Sequence, residues 1–364
     1  MPDSTCQETI LVAGGTGIVG AAAIEHFATL PQCRVLALSR GRQPLPASVE
    51  RVQLDLRNAQ ECRRVLGTQT QVTRVVFAAL YEKPDLVAGW RDPEQMQVNV
   101  DMLRNLLDAL EPSAPRLRHI TLLQGTKAYG SHIEPIRNPA KERWPRHPHE
   151  NFYWLQEDLL RERQGHGSWT FTILRPQVLL GFAIGSPMNV IAALGAYAAV
   201  LRELGQPLSF PGGGAFINGA TDARLLARAM AFAGTSAAAA NQTYNVVDGD
   251  VLVWQDIWAA IAAHFRMTVG DAQPLRLAQV MPQHEPVWAR IVEKHALRRT
   301  TLADLVGSSW QFTDRVFGYG LAQPSHSVLS PIKLRQAGFA DCEDSEDAVL
   351  YWISRMQHAN LLPA

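Results

Sequence analysis

The chain has 364 residues, and its 34 Lys and Arg are balanced by 34 Asp and Glu, so no global field favours nucleic acid or an anionic membrane. A small molecule is the expected partner, and the length allows one large domain with a smaller one beside it. The four cysteines, Cys6, Cys33, Cys62 and Cys342, show no CxxC spacing and are expected to be reduced thiols of a cytoplasmic protein, in keeping with an opening stretch, MPDSTCQETI, that lacks the features of a signal peptide.

The apolar run TILVA at 9–13 predicts a buried parallel strand, which feeds a glycine turn and a helix in GGTGIVGAAAIEHFATL. In that context Gly14 permits the tight turn, Gly17 lets the backbone approach a pyrophosphate, and Gly20 lets the helix pack closely on the sheet. The diphosphate of a nicotinamide dinucleotide is then expected at the helix amino terminus. A flavin site or a structural turn is the competing reading. A second strand, RVLALS at 34–39, ends in LSRGRQP without the acid that NAD enzymes aim at the ribose hydroxyls. Ser39, Arg40 and Arg42 are instead candidates for the 2′-phosphate of NADP, or else solvated loop residues. A third strand, at 51–54, runs into Asp55, whose carboxylate either accepts from the adenine amino group or caps the helix in RNAQECRRVL.

Strands at 74–79 and 119–124 bracket a helix, PEQMQVNVDMLRNLLDAL, with Met96, Val100, Leu103 and Leu107 on one face. Lys127 closes the fifth strand in LLQGTKAYG, where carboxyl ends of parallel strands line a cofactor crevice; a surface lysine is the alternative. NFYWLQED at 151–158 then offers Tyr153, yet the residue four places on is Glu157, not the lysine of short-chain dehydrogenases. No tyrosine in the chain has lysine at that offset. TFTILRP at 170–176 and TYNVV at 243–247 predict two further strands, and the fourteen apolar residues MNVIAALGAYAAVL, too few to span a bilayer, predict a buried helix. Segments 186–215 and about 265–340 break the alternation.

The fold expected is α/β: a Rossmann doubly wound parallel sheet with a smaller, mainly helical C-terminal substrate domain. Residues 1–185 form the dinucleotide-binding domain in this reading and 186–364 the substrate-binding region, with about 216–262 returning to the sheet. His119, His132, His147 and His149 are irregularly spaced on expected loops, which favours solvated side chains and no metal.

Together, GGTGIVG, LSR, LLQGTKAYG, NFYWLQED, LRPQVLLGF and the closing GFADCEDSEDAVLYWI resemble the progesterone 5β-reductase and iridoid synthase family of extended short-chain dehydrogenases. The similarity runs from about residue 8 to about 355. It implies reduction of the carbon–carbon double bond of a small enone or enal with NADP(H), and leaves a homodimer open. The family's catalytic tyrosine, in its NFYY motif, falls on Tyr153 and its catalytic lysine on Lys127. The resemblance also implies cofactor contacts at Thr16, Gly17, Ile18, Val19, Arg40, Asp55, Leu56, Ala79, Leu80, Gln124, Tyr153, Val178, Ser186, Pro187 and Met188, beside the Gly14 and Ser39 already singled out.

On this reading the Tyr153 hydroxyl donates to the oxygen where negative charge develops, while Lys127 positions the ribose and favours a more acidic phenol. Phe152, Trp154, Met188, Trp310, Phe317 and Tyr319 are pocket walls or plain core. Two alternatives stand beside it. One is an extended dehydrogenase acting on a carbonyl or a sugar nucleotide, as a reductase, epimerase or dehydratase, which normally keeps the missing Tyr/Lys spacing. The other is a non-catalytic NADP-sensing regulator, which typically loses the tyrosine or lysine. The chain departs from the family where AYGSHI follows the lysine and where Leu80 replaces a larger residue, both beside the substrate.

Overall fold

A computed structural model describes residues 8–41 and 43–364; Cys6 and Arg42 lie outside the described residues. Seven parallel strands form the main sheet: β1 (Glu8–Ala13), β2 (Cys33–Ser39), β3 (Val49–Gln53), β4 (Arg74–Phe77), β5 (His119–Leu123), β6 (Thr170–Pro176) and, after the short parallel pair β7 (Val178–Leu180) and β8 (Ala220–Asp222), β9 (Gln242–Val246). Their order is β3-β2-β1-β4-β5-β6-β9. Ile10 pairs with Val35 on one side and Arg74 on the other, so the winding reverses at β1. The crevice of such a sheet opens at the carboxyl ends of the strands on either side of that reversal.

These strands read as continuous apolar runs because helices cover both faces. Helix Ile18–Ala28 packs with Ala223–Ala233, while Ala59–Leu66, Pro93–Leu110 and Phe152–Gln164 pack on the opposite side. Helix Pro93–Leu110 starts where Asp92 accepts from the Gln95 N–H and proline occupies the first turn, the position where its missing donor costs nothing. Met96, Val100, Leu103 and Leu107 are buried, as their spacing predicts.

A third core surrounds helix Val190–Glu203, which is apolar on all sides because Trp254, Trp258, Trp288, Trp310 and Phe317 belong to the same cluster. The helix expected at 188–201 thus begins two residues later. Among the described residues no helix is long and apolar enough to cross a membrane.

Two glycines fix the entry to the first helix. Gly14 has φ +85°, and a Cβ there would lie 2.7 Å from the Ala78 carbonyl oxygen. A Cβ at Gly20 would lie 2.1 Å from the Gly14 oxygen, so this glycine lets the helix close on its own entry turn, where the sequence reading had it pack on the sheet. His119 corrects another expectation: it sits in β5, buried, sharing a 2.9 Å hydrogen bond with Thr170 Oγ1. Burial, and then the nearby Arg74 charge, push its pKa down to about 4.

Candidate active site

The turn between β1 and the first helix leaves a helix amino terminus that no side chain caps, with Gly17 at the N-cap position. Its first N–H groups lack helical acceptors, so they and the helix dipole attract an anion. A Cβ on Gly17 would meet only the Gly14 oxygen, at an ordinary 3.5 Å, so the space in front of the turn is open. Thr16, Ile18 and Val19 flank this opening, and the arrangement fits a dinucleotide diphosphate.

At the end of β2, Ser39 is buried and its hydroxyl donates to the Gly41 carbonyl at 3.2 Å, while Arg40 is exposed. Arg51 braces the same loop, donating to the Gly41 carbonyl at 3.0 Å. Asp55 is not a helix cap. Asn58 caps helix Ala59–Leu66, accepting from Glu61 N–H at 3.0 Å, because Asp55 lies one turn too early. Asp55 instead accepts from the Arg57 N–H at 3.0 Å and from its guanidinium at 2.6 Å. The Arg57 hydrogen bond, with the charges of Arg57 and Arg40, holds the Asp55 carboxyl below the usual range. Arg57, which the sequence reading passed over, is paired with Asp55 and lies 5.6 Å from the Tyr81 ring centroid. Leu56 is buried, and its carbonyl accepts from Asn105.

Ala79 and Leu80 follow β4, half-buried. Val178 and Met188 line a cavity of about 530 Å³. Met188 has φ +62° and ends the 186–188 loop, where the Ser186 carbonyl accepts from Ser309 Oγ at 2.8 Å and Pro187 follows. Gln124 lines the same cavity; its Nε2 donates to the Tyr153 carbonyl at 3.1 Å and to Glu157 at 3.2 Å, and its Oε1 accepts from Arg175 at 2.8 Å. Both ends of its amide are therefore engaged within the protein.

Lys127 and Tyr153 meet at one end of this cavity from different elements. Lys127 lies in the 3₁₀ turn Thr126–Tyr129 that follows β5, and Tyr153 in the first turn of helix Phe152–Gln164. Asn151 joins them: its Oδ1 accepts from the Tyr153 N–H at 3.0 Å and its Nδ2 donates to the Lys127 carbonyl at 2.9 Å. The lysine ammonium lies 5.7 Å from the Tyr153 ring centroid. The tyrosine hydroxyl emerges past Gly125, where an added Cβ would be 3.4 Å away.

Burial raises the Tyr153 phenol pKa and the Glu82 charge raises it further. Burial and the Glu82 charge thus work against the more acidic phenol of the sequence reading and favour the protonated hydroxyl, a hydrogen-bond donor. Lys127 is itself buried rather than a surface lysine, and burial pushes its pKa down while Glu82 opposes the shift. Glu82, with a side chain 3% exposed, accepts from Lys127 Nζ at 3.4 Å and from Gln95 Nε2 at 2.6 Å. The Trp90 ring lies 4.6 Å from the same ammonium. Sequence inspection passed over Glu82, which carries no motif and lies 45 residues from Lys127.

Glu157, standing where the usual lysine would be, faces away from the crevice. It accepts from Arg161 at 2.9 Å, Arg146 at 3.3 Å and Arg175 at 3.5 Å. Burial alone would raise its carboxyl pKa, but the Arg161 hydrogen bond and the surrounding arginine charges outweigh this and hold it low.

Trp90, Phe216 and Phe312 contribute aromatic walls to the cavity. Of the six wall candidates only Met188 borders it; Trp310 and Phe317 are core, and Trp154 stacks with Arg146 and Arg175. His132 is buried rather than solvated, its ring 4.9 Å from that of His149. His149 in turn shares a 2.8 Å contact with His147, which meets Glu134 at 2.9 Å. Among the described residues no three His, Cys, Asp or Glu side chains form a group that could hold a metal.

Comparison with known proteins gives a consistent picture. The sequence profile of the PRISE-like Rossmann-fold domain matches residues 49–313. An (S)-8-oxocitronellyl enol synthase of Nepeta racemosa is 31% identical, over 97% of this chain and 91% of that enzyme. A 3-oxo-Delta(4,5)-steroid 5-beta-reductase of Arabidopsis thaliana is 29% identical, over 100% and 95% respectively. Among solved structures, UDP-glucose 4-epimerase of Thermus thermophilus in complex with NAD superposes with TM-score 0.67 at 18% identity, covering 96% of this chain and 99% of that one. A putative epimerase from Burkholderia cenocepacia J2315 does so with TM-score 0.67 at 16% identity, covering 98% and 100%. At such identities the last two speak for the fold alone.

Proposed function

The chain belongs to the PRISE-like Rossmann-fold family, and from that membership together with the site's geometry we propose that it reduces the carbon–carbon double bond of a small enone or enal with NADPH. The observation that carries the reading is the meeting of a buried lysine and a buried tyrosine at one cavity, on elements that Asn151 ties together.

Bound with its diphosphate at the Gly14–Val19 turn, the dinucleotide supplies the reducing equivalent. The chain's own residues do the rest. Tyr153 O–H donates to the substrate oxygen, stabilising the negative charge that grows there as the β-carbon is reduced. Lys127 holds the ribose hydroxyls and keeps a positive charge near the developing enolate, which takes its α-proton from solvent. Trp90, Phe216 and Phe312 exclude water from the reacting face. Residues 1–185 hold the dinucleotide and 186–364 shape the substrate side, with 216–262 rejoining the sheet through β9.

NADPH is preferred over NADH because the exposed Arg40 offers a cation where an acid would otherwise select a free ribose hydroxyl. Arg40→Ala is expected to raise the apparent KM for NADPH with little change for NADH. Equal use of both cofactors by the parent protein would remove this assignment.

The reaction itself is tested by isotope transfer. With deuterium-labelled NADPH and 2-cyclohexenone, the label is expected at the β-carbon of the saturated ketone. Label at the carbinol carbon of an allylic alcohol would make the chain a carbonyl reductase.

A further inference from the structure

We propose that the natural substrate carries a carboxylate, and that Arg91 and Arg315, which line the cavity, recognise it. The proposal rests on the enone-reductase reading and narrows its substrate class.

Arg91 follows Trp90, and Arg315 lies on helix Ser309–Val316; both line the cavity that Lys127 and Tyr153 close. Each is tethered to one loop by a main-chain carbonyl. Arg91 Nη2 donates to the His132 carbonyl at 2.9 Å, and Arg315 Nη2 to the Ser131 carbonyl. Arg315 also lies over the Trp90 ring, 5.7 Å from its centroid. Both are exposed residues at the cavity's solvent side, and neither guanidinium forms a salt bridge within the described residues.

The lining contains one acid that could answer them, Glu134, and its side chain is 63% exposed and engaged with His147. Two further polar groups of the lining offer donors, while Gln124 and Gln177 are already paired within the protein. Asn218 is 5% exposed, and among the described residues its Nδ2 has no hydrogen-bond partner. His326 Nδ1 accepts from the Ile217 N–H at 3.0 Å, which leaves Nε2 as the protonated nitrogen.

A buried amide donor without an acceptor is costly, and two tethered guanidinium groups at one mouth repel each other. An acceptor atom of the occupant relieves the first, and a negative charge beside the arginines relieves the second, which solvent already screens in part. A carboxylate supplies that charge, and its planar pair of oxygens matches the guanidinium fork. The Arg315 charge also disfavours the Lys127 ammonium, so an anion at the mouth would favour the charged lysine as the substrate seats. A neutral terpenoid or steroid skeleton would leave these donors unanswered.

The test uses a linear enone with a terminal carboxylate two methylenes from its double bond, together with its methyl ester, assayed with NADPH at neutral pH. The acid is expected to exceed the ester in kcat/KM by about tenfold or more, as for a charge-assisted contact. The ratio should fall toward one in Arg91→Ala and Arg315→Ala, recover in part in Arg315→Lys, and decline with added salt. A ratio at or below one in the parent protein overturns the proposal.

If neither enone consumes NADPH, the reductase reading has failed, and equilibrium binding of the saturated acid and its ester to the NADP-loaded protein decides this proposal by itself. Tighter binding of the acid, lost in Arg315→Ala, upholds it; equal binding sinks it.

Discussion

A lysine buried as Lys127 is keeps its charge only with help, because burial penalises the ammonium and pushes its pKa down. Glu82 supplies that help at 3.4 Å and is itself nearly inaccessible to water. Replacing it with Gln retains an oxygen near the ammonium and an acceptor for Gln95, but removes the charge. The Lys127 pKa then falls further, so the ammonium is lost at lower pH. The same change relieves the upward push of Glu82 on the Tyr153 phenol, and that too brings deprotonation to lower pH. Both effects have one sign: the alkaline limb of the kcat/KM profile of Glu82→Gln should move to lower pH, and Glu82→Asp should restore it in part. An unmoved limb would show that Glu82 only packs.

The element that sets the site is the start of helix Phe152–Gln164, where one asparagine serves two ends. Asn151 caps the helix through its Oδ1 and ties Lys127 through its Nδ2. Asn151→Ala is expected to cost about 1 kcal/mol of stability in urea unfolding, as for loss of a helix cap. It should also lower kcat by roughly tenfold through misplacement of the pair. Asn151→Asp separates the two functions, because a carboxylate still accepts from the Tyr153 N–H but cannot donate to the Lys127 carbonyl. Its stability should return toward the parent's while kcat stays low. If kcat returned with stability, the tie to Lys127 would carry no catalytic weight.

Across the whole molecule, the main sheet and the C-terminal helix meet at Asp248, fully buried beyond β9. Its carboxylate accepts from the Asp222 N–H at 2.6 Å and from Ser345 Oγ at 3.3 Å, the latter at the start of helix Ser345–His358. Burial, with the charges of Asp222 and Asp250 adding, raises its pKa to about 7. The folded chain therefore holds a proton here that the unfolded chain releases above about pH 4, and the stability from this group falls as pH rises from about 4 to about 7. His119 and His132, lowered to about 4 and about 3, act in the opposite sense as they lose protons on unfolded and folded chains at different pH. A difference between two proteins separates the terms. Asp248→Asn should gain on the parent by a few kcal/mol more at pH 8 than at pH 5, an order-of-magnitude figure set by the size of the shift. An equal difference at both pH values would mean that Asp248 titrates normally.

The seven strands and the helix at 93–110 were legible in the sequence because each depends on its own neighbours. A parallel strand covered on both faces must be a continuous apolar run, and a helix with one buried face must repeat its apolar residues every three to four positions. Gly14 was legible for a similar reason, since a positive φ and a backbone 2.7 Å away from any added Cβ leave no other residue. The family was legible because several short motifs recur together along the chain. Tertiary structure alone decided that Glu82 faces Lys127, that Gln124 is occupied by Arg175 and Glu157, that Asn58 rather than Asp55 caps its helix, and that His119 and His132 are buried. It also decided the protonation of Tyr153, for a pKa in a folded chain depends on burial and on charges brought close from distant positions. Local pattern specifies the elements; which charges face one another out of water is set only when those elements pack.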